Sequence, residues 1–151
     1  MGRGFTLIEL VVTLGILVVL TGFALFFSME SYRSGSFYLD RNMLVVLLQH
    51  ARAQSMNTLC MGQYCGDSKP HGVAILDGRY VLFQGPTYDT RDAEVDLIYD
   101  SNSSIAKNGL TEIVFSQLSG TSTPGEIELS DAAAHVSTIA IDANGRITWT
   151  H

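Results

Sequence analysis

Basic residues are scarce in this sequence. Nine lysines and arginines stand against fifteen aspartates and glutamates, and the formal net charge is −6. Proteins that bind nucleic acid do so largely through lysine and arginine contacts with phosphate, and no stretch of this chain clusters those residues. The charge pattern therefore gives no indication that DNA or RNA is a ligand.

Motifs of known catalytic chemistry are also missing. The sequence has no nucleophile elbow, no phosphate-binding loop and no paired metal-ligand motif. Its histidines are isolated: His50 falls in a predicted helix, His71 follows a proline, His135 lies in a predicted loop and His151 is the last residue. Ser122 is flanked by turn residues, so we interpret it as part of a loop. We expect neither an enzyme nor a bound cofactor or metal.

Long apolar runs are absent from most of the chain, but one occupies residues 5–27. About 20 apolar residues are enough for a helix to cross a membrane. A single acid, Glu9, interrupts the run. A carboxylate in such a segment costs several kcal/mol unless a partner neutralises it, so Glu9 is a candidate functional residue.

The apolar run has two simpler interpretations. A cleaved secretory signal would end in a small-x-small site, whereas Ala24 is followed by leucine and two phenylalanines. A plain signal anchor stays open, because Arg3 before the run and the absence of a basic cluster after it place the N-terminus in the cytoplasm. An anchor has no need of Glu9, however. We therefore favour a helix that assembles with others in the membrane.

The hexapeptide Gly-Phe-Thr-Leu-Ile-Glu at residues 4–9, preceded by Arg3, resembles the class III signal of type IV pilins and type II secretion pseudopilins. The resemblance implies that residues 1–4 are a leader, that a prepilin peptidase cuts between Gly4 and Phe5, and that Phe5 is then N-methylated. It also implies that Glu9 meets the amino terminus of a neighbouring subunit during assembly.

The partners implied are prepilin peptidase, other pilin or pseudopilin subunits, the inner-membrane assembly platform and membrane lipid. One departure from the family is the absence of a proline about twenty residues into the processed helix. Gly15 and Gly22 are the only residues of the run that weaken a helix.

The helical pattern continues through residues 28–57. One apolar stripe is predicted at helical spacing, and charged or amide residues fall mainly off it. The stripe comprises Phe37, Leu44, Leu47, Leu48, Ala51 and Ser55; the off-stripe residues are Arg33, Asp40, Arg41, Gln49 and Arg52. Ser34-Gly35-Ser36 interrupts the pattern, so we expect a weak point there.

From residue 72 to residue 150 the pattern changes to strands. Asp77-Gly78 between two apolar runs predicts a tight hairpin, and Asn144-Gly145 predicts a turn before the last strand. The predicted strands are Val73–Leu76, Arg79–Phe83, Val95–Tyr99, Glu112–Leu118, Glu126–Ser130, Thr138–Ile141 and Arg146–Trp149. The fold class is α+β and pilin-like: a long N-terminal helix, its first half transmembrane, packs on an antiparallel sheet domain of about seven strands. Residues 28–151 form the extracytoplasmic domain.

This layout, with Ala51-Arg52-Ala53 closing the helix and Gly145-Arg146-Ile147 near the end of the chain, is most similar to the H-type minor pseudopilins, the GspH/FimT group. Some members of that group bind DNA through a Gly-Arg-x-Arg element. Here Thr148 replaces the second arginine, so we interpret Arg146 as a hairpin residue and DNA binding as the weaker alternative. The main hypothesis is a structural filament subunit, and the alternative is a pilus-tip module that binds DNA or a surface ligand.

Cysteine is nearly absent, and the two that occur, Cys60 and Cys65, follow the predicted helix. In an exported domain such a pair favours a disulfide that closes a small loop. Free thiols, or a metal site that adds His71 and Asp67, remain alternatives, although the spacing matches no tetrahedral template well. The segment 89–100 is locally acidic; a solvated acidic face is the favoured interpretation, and a divalent-cation site stays open.

Overall fold

The chain begins with one long helix. A computed structural model describes residues 6–62, 65 and 69–150. Within these ranges it describes the side chains of all residues except 25–33. Helix α1 spans Leu7–Met56 and is continuous through the predicted weak point at residues 34–36. The chain divides into two compact units, Met1–Gly35 and Ser36–His151, so the unit boundary falls within that same short segment.

Eight strands follow α1 in the described part of the chain. They are β1 (His71–Leu76), β2 (Arg79–Gln84), β3 (Leu97–Asp100), β4 (Ala106–Gly109), β5 (Glu112–Phe115), β6 (Gly125–Ser130), β7 (Val136–Ile141) and β8 (Ile147–Trp149). They form two four-stranded antiparallel sheets, in the orders β3-β2-β1-β5 and β4-β6-β7-β8. The α+β class is confirmed, but the strands make two sheets where the sequence predicted one sheet domain.

Strand β4 was not predicted from the sequence. Its residues, Ala-Lys-Asn-Gly, have little strand propensity, and β4 exists because it pairs with β6. The predicted strand Val95–Tyr99 was also placed too early, since Ala93–Val95 forms a single 3₁₀ turn and β3 begins at Leu97. For β4, pairing with a strand distant in the sequence therefore decided the local structure.

The two predicted hairpin turns are present. Leu76 pairs with Arg79 across Asp77-Gly78, and Gly78 has a φ of 71°. Ile141 pairs with Ile147 across the second turn, where Gly145 has a φ of 70°. Glycine adopts this left-handed backbone without the steric cost that a Cβ imposes, which is why these dipeptides identified the turns correctly.

All six residues of the predicted helix stripe are buried in the second unit. All of them except Ser55 belong to one apolar core that includes residues of both sheets, among them Phe115 from β5, Ile127 from β6 and Ile139 from β7. Full burial of a large aliphatic or aromatic side chain contributes about 1.5–3 kcal/mol, so this core is the main source of stability for residues 36–150. A smaller cluster of Ala74, Val81 and Phe83 covers the other face of the first sheet.

The sequence pattern placed Asp40 and Arg41 off the buried stripe of α1, and this prediction was wrong. Asp40 and Arg41 are both buried, with 6% and 4% of their surface exposed. Asp40 is tolerated because its carboxylate accepts hydrogen bonds from the Tyr80 hydroxyl (2.7 Å) and the Asn102 backbone N–H (2.9 Å). Those partners lie far away in sequence, so helical spacing alone gave no sign of them.

Candidate assembly site

The N-terminal part of α1 is apolar and uncovered. Leu7–Ala24 is long and apolar enough to cross a membrane, with a mean hydropathy of 2.4. Every side chain from residue 6 to residue 24 is exposed, including Leu7 at 82% and Ile8 at 68%. An apolar surface of this extent marks contact with lipid or with other protein chains.

The two threonines within this segment are satisfied by their own helix. The Thr13 hydroxyl donates to the carbonyl of Leu10 (3.0 Å), and the Thr21 hydroxyl donates to the carbonyl of Leu17 (2.8 Å). A hydroxyl bonded in this way can enter hydrocarbon without an unsatisfied donor. The two hydroxyls therefore need no hydrogen-bond acceptor from another molecule.

Glu9 differs from both threonines. Its carboxylate has no hydrogen-bond or ion-pair partner among the residues that the structure describes. An ionised group of this kind is stable in a water-poor setting only when a cation or a set of donors reaches it. Glu9 is thus the one acidic group of the described apolar segment, and no described residue neutralises its charge.

The position of Glu9 is set by the start of the helix. The Thr6 hydroxyl accepts a hydrogen bond from the Glu9 backbone N–H (3.3 Å) and caps the first turn. An acid in the first turn also interacts favourably with the positive end of the helix dipole. Sequence reasoning missed this role of Thr6, although Thr-x-x-Glu is the pattern of a capping box. Gly4 and Phe5, the predicted cleavage and methylation positions, lie outside the described residues.

A disulfide joins Cys60 and Cys65, with an S–S distance of 2.06 Å and a Cα–Cα distance of 5.5 Å. With both sulfurs bonded to each other, the alternative metal site would have no thiolate ligands. Burial lowers the pKa of the third residue of that site, His71, so its ring stays neutral at neutral pH. Asp67 lies outside the described residues.

The loop that holds the disulfide is tied to the first sheet. The buried amide of Gln84, in β2, donates to the carbonyl of Met61 (3.1 Å) and accepts from the Met61 backbone N–H (2.8 Å). The Gly85 backbone N–H donates to the carbonyl of Pro70 (2.8 Å) at the far end of the same loop. The described residues Met61 and Pro70 are therefore joined to β2 and the residue after it by hydrogen bonds, in addition to the covalent Cys60–Cys65 bond.

The acidic segment 89–100 is organised around an arginine. Arg91 donates to the Asp96 carboxylate (2.7 Å) and to the carbonyl of Tyr88 (2.7 Å), and its guanidinium lies 3.8 Å from the Tyr88 ring centre. The hydrogen bond to Asp96 raises the pKa of Arg91. Among the described residues, no three histidine, cysteine, aspartate or glutamate side chains are grouped closely enough to hold a metal ion.

Two further polar contacts of the second unit are structural. Burial and the Asp40 hydrogen bond raise the pKa of Tyr80, so its hydroxyl stays a donor to Asp40. In the β6–β7 loop, the His135 ring lies 2.8 Å from the Asp131 carboxylate. Desolvation opposes ionisation of Asp131, but the hydrogen bonds from His135 outweigh it and lower the pKa of this carboxyl. Neither contact is arranged around a nucleophile.

Arg146 lies just after the β7–β8 turn and is exposed. Its backbone N–H donates to the Asp142 carboxylate (2.9 Å), which fits the predicted role as a hairpin residue. Its side chain lines a small pocket together with Arg52 from α1. No local pattern indicated that these two arginines lie near each other, because they are 94 positions apart in the chain.

Comparison with known proteins identifies the N-terminal segment. Residues 2–25 match the family model described as the prokaryotic N-terminal methylation motif. No curated protein and no solved structure matches the chain. The motif indicates a pilin-like subunit that a prepilin peptidase processes and that assembles with other such subunits. Proteins with this motif are structural subunits and not enzymes.

Proposed function

We propose that this chain is a structural subunit of a filament, a minor pseudopilin or pilin that serves a type II secretion pseudopilus or a type IV pilus. The observation that carries the proposal is the methylation motif over residues 2–25. It coincides with an uncovered apolar helix in which Glu9 has no partner among the described residues.

In this proposal the peptidase removes residues 1–4 on the cytoplasmic face and methylates the new amine of Phe5. The Glu9 carboxylate of one subunit then pairs with the Phe5 amine of a neighbour. Both groups lose hydration in the membrane or filament interior, and their attraction offsets much of that loss. Head-to-tail contacts of this kind do not close on themselves, so they build a helical filament.

The arrangement of the chain favours the H-type minor pseudopilins as its subgroup. A long helix precedes the strands, and a Gly-Arg-Ile turn lies near the end of the chain. We place the N-terminus in the cytoplasm, a single span in the inner membrane and residues 28–151 outside the cytoplasm. The Cys60–Cys65 disulfide supports that location, because disulfides persist mainly in oxidising compartments.

Replacing Gly4 with leucine tests the proposal. We expect Gly4→Leu to leave residues 1–4 attached and to keep the chain out of filaments, while membrane insertion continues because the apolar run is unchanged. Intact-mass measurement and membrane fractionation report the two results. Gly15→Leu, the same substitution within the run, is the control and should be cut normally. Normal removal of residues 1–4 from Gly4→Leu would contradict the proposal.

A further inference from the structure

The second unit contains a small pocket beside the C-terminal turns of α1. Its volume is about 250 Å³, and it combines two arginines with an amide and three apolar side chains. The lining residues are Gln49, Arg52, Ala53, Met56, Arg146 and Ile147. No acidic side chain is among them, although the chain as a whole carries a formal charge of −6.

Arg52 is held in place by two loops. Its Nε donates to the carbonyl of Gly120 (3.3 Å), and one Nη donates to the carbonyl of Asn144 (3.2 Å). A Cβ added at Gly145 would lie 3.1 Å from the Arg52 Nε and closer still to the Gly120 carbonyl, so glycine is required for this approach. Because a guanidinium has five N–H donors, these two bonds orient Arg52 and leave the other donors available.

Arg146 contributes a second guanidinium that is not engaged. Its side chain is exposed and has no hydrogen-bond or ion-pair partner among the described residues. One arginine that is already oriented, beside another that is available, suits bidentate recognition of a planar oxyanion. The apolar surface of Met56 and Ile147 suits the aliphatic stem that carries such a group.

We propose that this pocket binds the carboxylate of an aspartate or glutamate on a neighbouring filament subunit. The inference rests on the proposed function, since it requires that the chain has such a neighbour. A single carboxylate needs only the local positive charge of Arg52 and Arg146. Tight binding of DNA takes several phosphate contacts, and the acidic composition of this chain disfavours them.

The first test measures entry into filaments in cells. Arg146→Glu removes a side chain that has no hydrogen bond or ion pair among the described residues. Gln49→Glu adds an acid to the pocket and keeps the size of the side chain. We expect each variant to enter filaments at least about tenfold less than the natural chain, with normal cleavage at Gly4. Arg79→Glu, which makes the same change at an exposed β2 position, should have no effect.

Comparison with Gly4→Leu separates the two proposals. If Gly4→Leu is excluded from filaments while Arg146→Glu and Gln49→Glu enter normally, the pocket proposal is wrong and the filament proposal stands. If Gly4→Leu is cut and enters filaments, both are wrong. Equal losses in Arg146→Glu and Arg79→Glu would mean that net charge, and not the pocket, controls entry.

The second test titrates the full-length chain in detergent micelles. The probe is acetyl-Leu-Glu-Leu-amide, followed by chemical shifts of the Arg52 side chain, which lines the same pocket and is present in every variant of this test. We expect saturable binding that weakens at least about tenfold in Arg146→Gln, and no binding of the peptide with glutamine in place of glutamate. Binding of inorganic phosphate in preference to the peptide, salt-sensitive binding of duplex DNA, or no binding at all would overturn the assignment.

Discussion

Two stretches of one helix have opposite surroundings. Leu7–Ala24 and the part of α1 from Phe37 onward are both rich in aliphatic side chains. Leu17, in the first stretch, is 56% exposed, whereas Leu48, in the second, is fully buried against residues of both sheets. An apolar stripe on a helix therefore indicates only that other apolar groups must cover its side chains. Whether the cover comes from the same chain or from outside depends on what the rest of the chain supplies.

The acids of the two stretches differ in the same way. Asp40 receives hydrogen bonds from Tyr80 and from the Asn102 backbone N–H, whereas Glu9 has no partner among the described residues. A buried charge is retained only where its interactions are satisfied. The second unit completes its own polar contact at Asp40, whereas in the proposed filament the partner of Glu9 comes from another subunit.

The largest effect is expected from Glu9→Val, which removes the carboxylate that we propose pairs with a neighbouring subunit. Entry into filaments should be lost, while cleavage at Gly4 and membrane insertion continue because the apolar run is strengthened. Quantification of filament-bound and membrane-bound chain measures this difference. Thr13→Val is the control, since it removes a hydroxyl that its own helix already satisfies. Glu9→Val subunits in filaments at natural levels would refute the pairing mechanism.

The same truncation in the two stretches should have different consequences. Leu48→Ala is expected to lower the free energy of unfolding of the second unit by about 2–5 kcal/mol, because it leaves a cavity in the shared core. Leu17→Ala should leave that free energy unchanged. Urea titrations of both variants in detergent micelles provide the comparison. Equal losses would show that the two stretches share one folding unit.

Removal of the Tyr80 hydroxyl tests whether the buried Asp40 carboxylate needs this hydrogen-bond donor. Tyr80→Phe deprives the buried Asp40 carboxylate of one donor, and we expect a loss of about 1–3 kcal/mol in unfolding free energy. Tyr38→Phe changes a partly exposed tyrosine on α1 and should alter the same quantity by less than about 0.5 kcal/mol. A Tyr80→Phe variant as stable as the natural chain would show that Asp40 does not need this bond.

The smallest effect is expected from reduction of the disulfide. A loop as short as Cys60–Cys65 gains about 2 kcal/mol by chain-entropy reasoning. Reduction should therefore lower the melting temperature of the second unit without unfolding it, since the Gln84 hydrogen bonds to Met61 remain. Thermal melts with and without reductant measure the shift. Free thiols detected by mass spectrometry in unreduced protein from an oxidising compartment would contradict the bond itself.

Local patterns in the sequence determined a large part of this molecule. The apolar run and the hexapeptide at residues 4–9 predicted the segment that matches the methylation motif. Helical spacing predicted the buried stripe of α1, and Asp77-Gly78 predicted the first hairpin. Each of these features follows from residues within a few positions of one another, where periodicity, glycine conformation and hydropathy act directly.

Only the tertiary structure decided the features that join distant residues. Strand β4 exists through its pairing with β6, and Asp40 is buried because Tyr80 meets it 40 positions further along the chain. Arg52 and Arg146 share a pocket for the same reason, since a hydrogen bond from Arg52 to the carbonyl of Asn144 joins α1 to the β7–β8 turn. Pairing, desolvation and charge proximity depend on distances in space, and a linear pattern does not contain those distances.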